Sequence, residues 1–223
     1  MNKFRFFSIF TILVVFSFQA FSQGDISLHF GPSFPMGDFG DDDIDDDDAG
    51  LAGIGFGAGL NYIYPLTEDG LGLYGGIDFI INPTSKDAQD DIEDLFGSTS
   101  EFTFPKNINI PVSAGLDYTF KANDQVSLYG QGGISLSLLK LTDFIWEEEG
   151  DDDYEEKYDL STSFGFNIGG GLIINDKVEI GLKYYGLGEH EIEGEYEYGT
   201  DDGNTDDYDQ KVSLFMITLG FRL

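Results

Sequence analysis

Eight stretches of alternating apolar and small polar residues, joined by connections that run long, short, long, short, leave this 223-residue chain very few folds to adopt. The long connections, residues 35–50, 83–106, 142–159 and 188–210, hold 34 of the 42 acidic residues, and the short ones fall at 65–70, 121–125 and 175–177. A period of two places successive side chains on opposite faces of a strand. Long connections on one side and tight turns on the other are what an up-and-down barrel across a membrane requires. The pattern predicts an all-β fold, an eight-stranded antiparallel up-and-down transmembrane β-barrel.

The contents of the two faces separate a membrane barrel from a soluble one. In the first run Ile26, Leu28, Phe30, Pro32 and Phe34 lie opposite Ser27, His29, Gly31 and Ser33; in the last, Phe215, Ile217, Leu219, Phe221 and Leu223 share a face. Most runs reach the roughly nine to eleven residues that a tilted strand needs to cross a bilayer. A soluble ligand-carrying barrel or a sandwich would turn its apolar face inward, but roughly five large residues per strand do not fit inside eight strands. The other face, mostly Gly, Ser, Asn and Thr, is a poor soluble surface and a good filling for a narrow polar lumen. Aromatic girdles are expected at both rims: Tyr62, Tyr64, Tyr118 and Phe120 beside the short turns, and Phe34, Phe79, Phe144, Trp146 and Tyr185 near the long connections.

Lys3 and Arg5 precede an apolar run from Phe6 to Phe18, and Ala20-Phe21-Ser22 stands before Gln23. This pattern predicts a secretory signal peptide over residues 1–22, read by the Sec pathway, followed by a barrel domain over 23–223. The apolar run is too short for a spanning helix. Removing the signal leaves 9 Lys and Arg against the 42 acids. The absence of cysteine excludes a disulfide framework and thiol-linked lipid attachment.

The ending Phe21-Ser22-Gln23, the opening Asp25-Ile26-Ser27-Leu28 and the closing run from Leu214 to Leu223 give the chain a family likeness. It resembles the small outer-membrane β-barrel proteins of the OmpA/OmpX-like class, especially the Bacteroidota outer membrane protein β-barrel domain or porin-like family. The resemblance implies that the short turns and both termini are periplasmic, that the acidic loops are extracellular, and that the assembly machinery of the outer membrane reads the C-terminal strand. Family members often end on an aromatic residue, whereas this run ends on Leu223 with Phe221 two positions earlier. The expected surroundings are the outer-membrane bilayer and lipopolysaccharide, with the chain as a monomer. Because such folds host many roles, the resemblance does not itself assign one.

Two acidic runs, Asp41, Asp42, Asp43, Asp45, Asp46, Asp47 and Asp48, and Glu147, Glu148, Glu149, Asp151, Asp152 and Asp153, are dense in the hard oxygen ligands that suit Ca²⁺ or Mg²⁺. Neither follows the EF-hand spacing, since counting from Asp43 puts Asp48 where glycine and Ile54 where glutamate is required. The expectation is solvated, self-repelling loops with loose divalent binding and no dedicated cofactor. The inward face carries His29, Asp78, Asp117, Glu179, Lys183 and Arg222, expected to pair as a lumen-filling network. If they lined a path instead, the barrel would be a narrow porin-like channel for small solutes or cations.

Catalysis by a lipid-modifying barrel would need a histidine with a serine near the outer rim. His190 stands between Glu189 and Glu191 with no serine in its own loop, and His29 faces the lumen, so no enzyme is expected. Gly53-Ile54-Gly55-Phe56-Gly57 lies inside a strand, which rules out a phosphate loop. So acidic a surface repels nucleic acid. A structural or surface-interaction role in the envelope is the leading expectation.

Overall fold

The computed structural model describes residues 24–96, 100–148, 153–205 and 207–223. Each alternating run is one barrel strand: β1 (Asp25–Pro35), β2 (Gly55–Pro65), β3 (Leu71–Pro83), β5 (Lys106–Lys121), β6 (Val126–Leu141), β9 (Ser161–Ile174), β10 (Val178–Ile192) and β13 (Tyr208–Arg222). They close in the order β1-β13-β10-β9-β6-β5-β3-β2, all neighbours antiparallel. Closure leaves the barrel with no free strand edge, which a hydrocarbon environment could not satisfy.

The short turns explain the register. Asn175 and Asp176 both have positive φ, 52° and 57°, and Lys177 donates its N–H to the Ile174 carbonyl, so β9 and β10 meet in a tight three-residue turn that sets Ile174 opposite Val178. Between β5 and β6, Asn123 Oδ1 accepts the backbone N–H groups of Gln125 and Val126. At the β1–β13 seam Gly31 lies so near the Ile217 carbonyl that a Cβ would collide with it.

The apolar face points outward, as the sequence predicts. Phe164, Ile134 and Ile168 are 78%, 70% and 59% exposed, far beyond what scattered surface residues on a soluble protein explain. Tyr118, Phe120 and Phe79 face outward near the rims. Tyr185 does not: Tyr184 takes the outward position on β10, and its neighbour is fully buried in the lumen. Phe144 and Trp146 are not girdle residues either, because they lie in a separate sheet beyond the barrel strands.

That sheet corrects the expectation of self-repelling loops. Strands β4 (Ser100–Thr103), β7 (Phe144–Glu148), β8 (Tyr154–Tyr158), β11 (Gly194–Tyr198) and β12 (Asp201–Asn204) pair in the order β12-β11-β8-β7-β4. Helix α1 (Lys86–Phe96) joins β3 to it, its first turn capped by Ser85 Oγ, which accepts the Ala88 N–H. A 3-10 turn at Gly37–Gly40 follows β1. The acid is not spread evenly over these segments. Runs such as Gly194-Glu195-Tyr196-Glu197-Tyr198 alternate carboxyl and ring, so a strand puts the charges on one side and the aromatics on the other.

Candidate functional site

The lumen is filled in two tiers. Towards the short turns it is polar. His29 Nε2 lies 2.5 Å from Asp78 Oδ1 and 3.1 Å from Lys183 Nζ, and Lys183 Nζ is 3.3 Å from Asp78 Oδ2, with every member at most 5% exposed. Nearer the turns, Arg222 reaches Glu179 at 2.7 Å, and Ser27 Oγ donates to the same carboxylate at 2.5 Å. A chain of neutral groups links the two sides: Tyr74 donates to Asn167, whose amide donates to Ser135 at 2.9 Å, with Ser113 Oγ 2.8 Å further on. Five of the six expected lumen charges, all but Asp117, are therefore paired. Asp117 is buried; among the described residues Thr119 donates to its Oδ1 and its Oδ2 has no hydrogen-bond partner.

Towards the long connections the filling is apolar, which the sequence reading does not anticipate. Ile80, Leu139, Leu187, Leu214 and Met216 project inward with no exposure, and Phe39 drops in from the 3-10 turn to join them. Each such side chain contributes about 1.5–3 kcal/mol through burial. These residues occupy inward positions in β3, β6, β10 and β13, where small polar residues are expected.

A bulge in β10 changes one functional side chain. The pairing with β13 steps from Gly186↔Ser213 to Gly188↔Val212, leaving Leu187 as the extra residue. Strict alternation would turn His190 outward with Ile180, Leu182 and Tyr184; the extra residue turns it inward instead. His190 is fully buried, with Nδ1 3.3 Å from Ser161 Oγ on β9 and Nε2 without a partner. A histidine–serine pair therefore exists at the outer end of the barrel, contrary to the expectation that no serine is near. Among the described contacts no carboxylate orients the ring, so the pair lacks the third member of a triad there. Gly188 carries the bulge with φ +85°, and a side chain there would strike Ser163 and the Phe164 carbonyl. Gly188→Ala is expected to cost about 1–3 kcal/mol in a urea titration of the micelle-bound protein; an unchanged midpoint would show that the bulge does not fix this register.

Above the apolar tier lies a cavity of about 310 Å³. Leu141 and Asn107 line it from the barrel, Leu51 and Ile92 from the first two long connections, and Phe144, Glu156 and Tyr158 from the outer sheet. Strand pairing puts Phe102, Phe144, Trp146, Tyr154, Glu156 and Tyr196 on one face of that sheet. Their rings form a continuous run: Phe102 stacks on Trp146 at 6.3 Å, Phe144 meets Tyr154 edge-on at 6.3 Å, and Tyr154 stacks on Tyr196 at 6.1 Å. The reverse face carries Glu101, Glu147, Glu155, Glu195 and Glu197, with Lys157 held by Glu155 at 3.0 Å and Glu197 at 3.2 Å. Burial pushes the Glu156 carboxyl above the usual range, partly offset by a hydrogen bond from Tyr158.

The family model for the outer membrane protein beta-barrel domain matches residues 8–222. The chain belongs to this family. Among solved structures, this outer membrane barrel resembles OprG from Pseudomonas aeruginosa, 13% identical over 90% of this chain and 96% of that one, with a TM-score of 0.51. It also resembles Neisserial surface protein A, 16% identical over 90% and 96%, at 0.49. At such an identity the likeness to OprG speaks to fold alone. No curated protein matches the sequence.

The acidic runs of this outer membrane barrel are used differently from what composition suggests. In the first, Asp41 accepts the Asp43 N–H at 3.1 Å, Asp43 that of Asp45 at 3.0 Å, and Asp46 that of Asp48 at 3.0 Å. These carboxylates shape their own turns. Asp42 and Asp47 make no such turn bond among the described contacts. In the second run Glu147 faces the outer side of the sheet and Asp153 is exposed, while Glu149, Asp151 and Asp152 and the side chain of Glu148 lie outside the described residues. The carboxylates that do converge, Glu191, Glu193 and Asp207, have one oxygen each within 4.8 Å of the others and are exposed. Sequence reading does not single them out, because they come from two sides of the fourth connection.

Proposed function

We propose that this chain is a closed outer-membrane barrel whose work is done at its outer end, where it holds a folded, acidic sheet for cations, basic partners or surfaces. The observation that carries this reading is the fully buried apolar tier, which fills the lumen between the two mouths. In this reading residues 1–22 direct export through Sec and are removed, both termini face the periplasm, and the acidic sheet faces outward as a monomer beside lipopolysaccharide. Loosely held Ca²⁺ or Mg²⁺ at the acidic surface would let it sit close to that anionic lipid. Catalysis has no place in it, since among the described contacts no carboxylate orients His190 beside Ser161.

Reconstituted in planar bilayers, the protein is expected to give no stable conductance steps. Reproducible steps would favour the second reading, a narrow porin-like channel. Cavities at both mouths speak for that alternative: a space of about 440 Å³ at the short-turn end, lined by Asp25, Asp117, Lys177 and Arg222, lies opposite the outer one.

A further inference from the structure

The outer cavity combines features that the surface-interaction reading leaves unused. Its wall is the aromatic face of the outer sheet, its floor includes Leu141 from the barrel, and Glu156 is the one acidic side chain among its described lining residues. Glu156 has no cationic partner among the described ion pairs. The adjacent Lys157 points to the opposite face and is engaged by Glu155 and Glu197. Across the sheet Glu156 faces Phe144 and Tyr196, its own strand adds the phenols Tyr154 and Tyr158 and β13 adds Tyr208, while the Lys140 ammonium on β6 donates to the Tyr158 carbonyl. None of these rings supplies a positive charge at neutral pH, and Glu156 is not among the described partners of Lys140.

A half-buried carboxyl among rings is costlier to ionise than one in water unless a counter-charge joins it. Aromatic faces attract cations through their quadrupoles, most strongly where water is excluded. The net charge of −31 draws cations towards this end of the molecule before any contact forms. A volume of about 310 Å³ is at the lower end of what small-ligand pockets offer. We infer that the outer cavity is a binding site for a small organic cation, an ammonium group carried on an aromatic or alkyl body, with Glu156 as its counter-charge and the Phe144 and Tyr158 rings around it.

The inference rests on the surface-interaction reading only for the side from which the ligand arrives. It is tested on purified full-length protein in detergent micelles, where neither orientation nor conductance enters. Trp146, the single tryptophan, lies on the aromatic face and reports binding by fluorescence, with calorimetry as the second measurement. Benzyltrimethylammonium is expected to bind saturably, and its neutral isostere neopentylbenzene about tenfold or more weakly. Glu156→Gln is expected to remove that preference, while Glu195→Gln and Glu197→Gln on the reverse face leave it within about twofold of the parent. Affinity for the cation is expected to fall as pH drops through the raised Glu156 pKa, since only the carboxylate form pairs with it, and Glu156→Gln flattens that dependence. Equal binding of the cation and its isostere, an unaltered preference in Glu156→Gln, or no saturable signal each overturns the inference. If Glu156→Gln loses its folded gel band, the comparison of cation with isostere on the parent protein decides alone.

Discussion

Asp78→Asn is expected to destabilise the barrel by about 3–5 kcal/mol, the cost of leaving a buried charge without its partner. The substitution keeps the shape of the side chain but removes the negative charge facing Lys183 Nζ at 3.3 Å. Lys183 is 4% exposed, with the Tyr185 ring 5.6 Å from its Nζ and His29 Nε2 at 3.1 Å, so no other carboxylate in its described contacts replaces Asp78. The cluster is tightly packed on its Gly59 side, where a single added Cβ would strike both the Asp78 carboxylate and the His29 ring. Adding Lys183→Met removes the orphaned cation, and the double variant is expected to recover most of the loss, because a neutral filling of similar volume is often as stable as a buried pair. Urea titration followed by the shift between folded and boiled bands measures both. Additive losses in the double variant would mean that the two residues act separately and that the cluster is not a unit.

The strands were legible because lipid imposes a rule with no exceptions along the wall. All eight runs of alternation are barrel strands and the connections alternate long and short as the pattern has it, although β10 runs on to Ile192 and β13 begins at Tyr208, inside the expected fourth connection. The lumen was legible in its charges and not in its tiers. His29, Asp78 and Lys183 stand on inward positions and pair, but Leu139, Leu187 and Leu214 do so too, and an apolar residue on the inward face looks like noise beside a strong outward pattern. By sequence His190 belongs to the fourth long connection, whereas β10 extends past it and a one-residue bulge, traced by Gly186-Leu187-Gly188, turns it inward. The outer sheet was hidden by charge. Tyr154-Glu155-Glu156-Lys157-Tyr158 and Gly194-Glu195-Tyr196-Glu197-Tyr198 carry the same period of two as the barrel, and counting rings rather than acids would have found those strands.

Phe39→Ala is expected to free the first long connection while leaving the barrel intact. Phe39 is fully buried among the apolar tier, yet it belongs to the 3-10 turn and not to a strand. Truncating such a side chain costs about 3–5 kcal/mol. A strand residue would spread that cost over the whole barrel, but this segment can let go by itself. What holds it otherwise is a set of hydrogen bonds and one exposed ion pair: Met36 donates to the Ser213 carbonyl and Ser213 Oγ to that of Met36, Gly50 to that of Asp38, Leu51 to that of Asp41, Ala52 to that of Phe39 itself and Ser85 to that of Leu51, with Lys211 Nζ 3.7 Å from Asp38. Leu51 sits at φ 51°, a strained conformation for a leucine that only the anchored segment sustains. Where opening is fast compared with cleavage, proteolysis follows the open population, and at 1.4 kcal/mol per decade the loss corresponds to about 100-fold or more faster cutting. A protease specific for aspartate should therefore cut within residues 41–48 of the variant far sooner than in the parent, with the folded gel band unchanged. Equal cutting rates would show that the acidic run is held by its own aspartate turns and not by the ring beneath it. Loss of the folded band would instead place Phe39 in the cooperative core of the barrel, and the outer end could then not move without the rest.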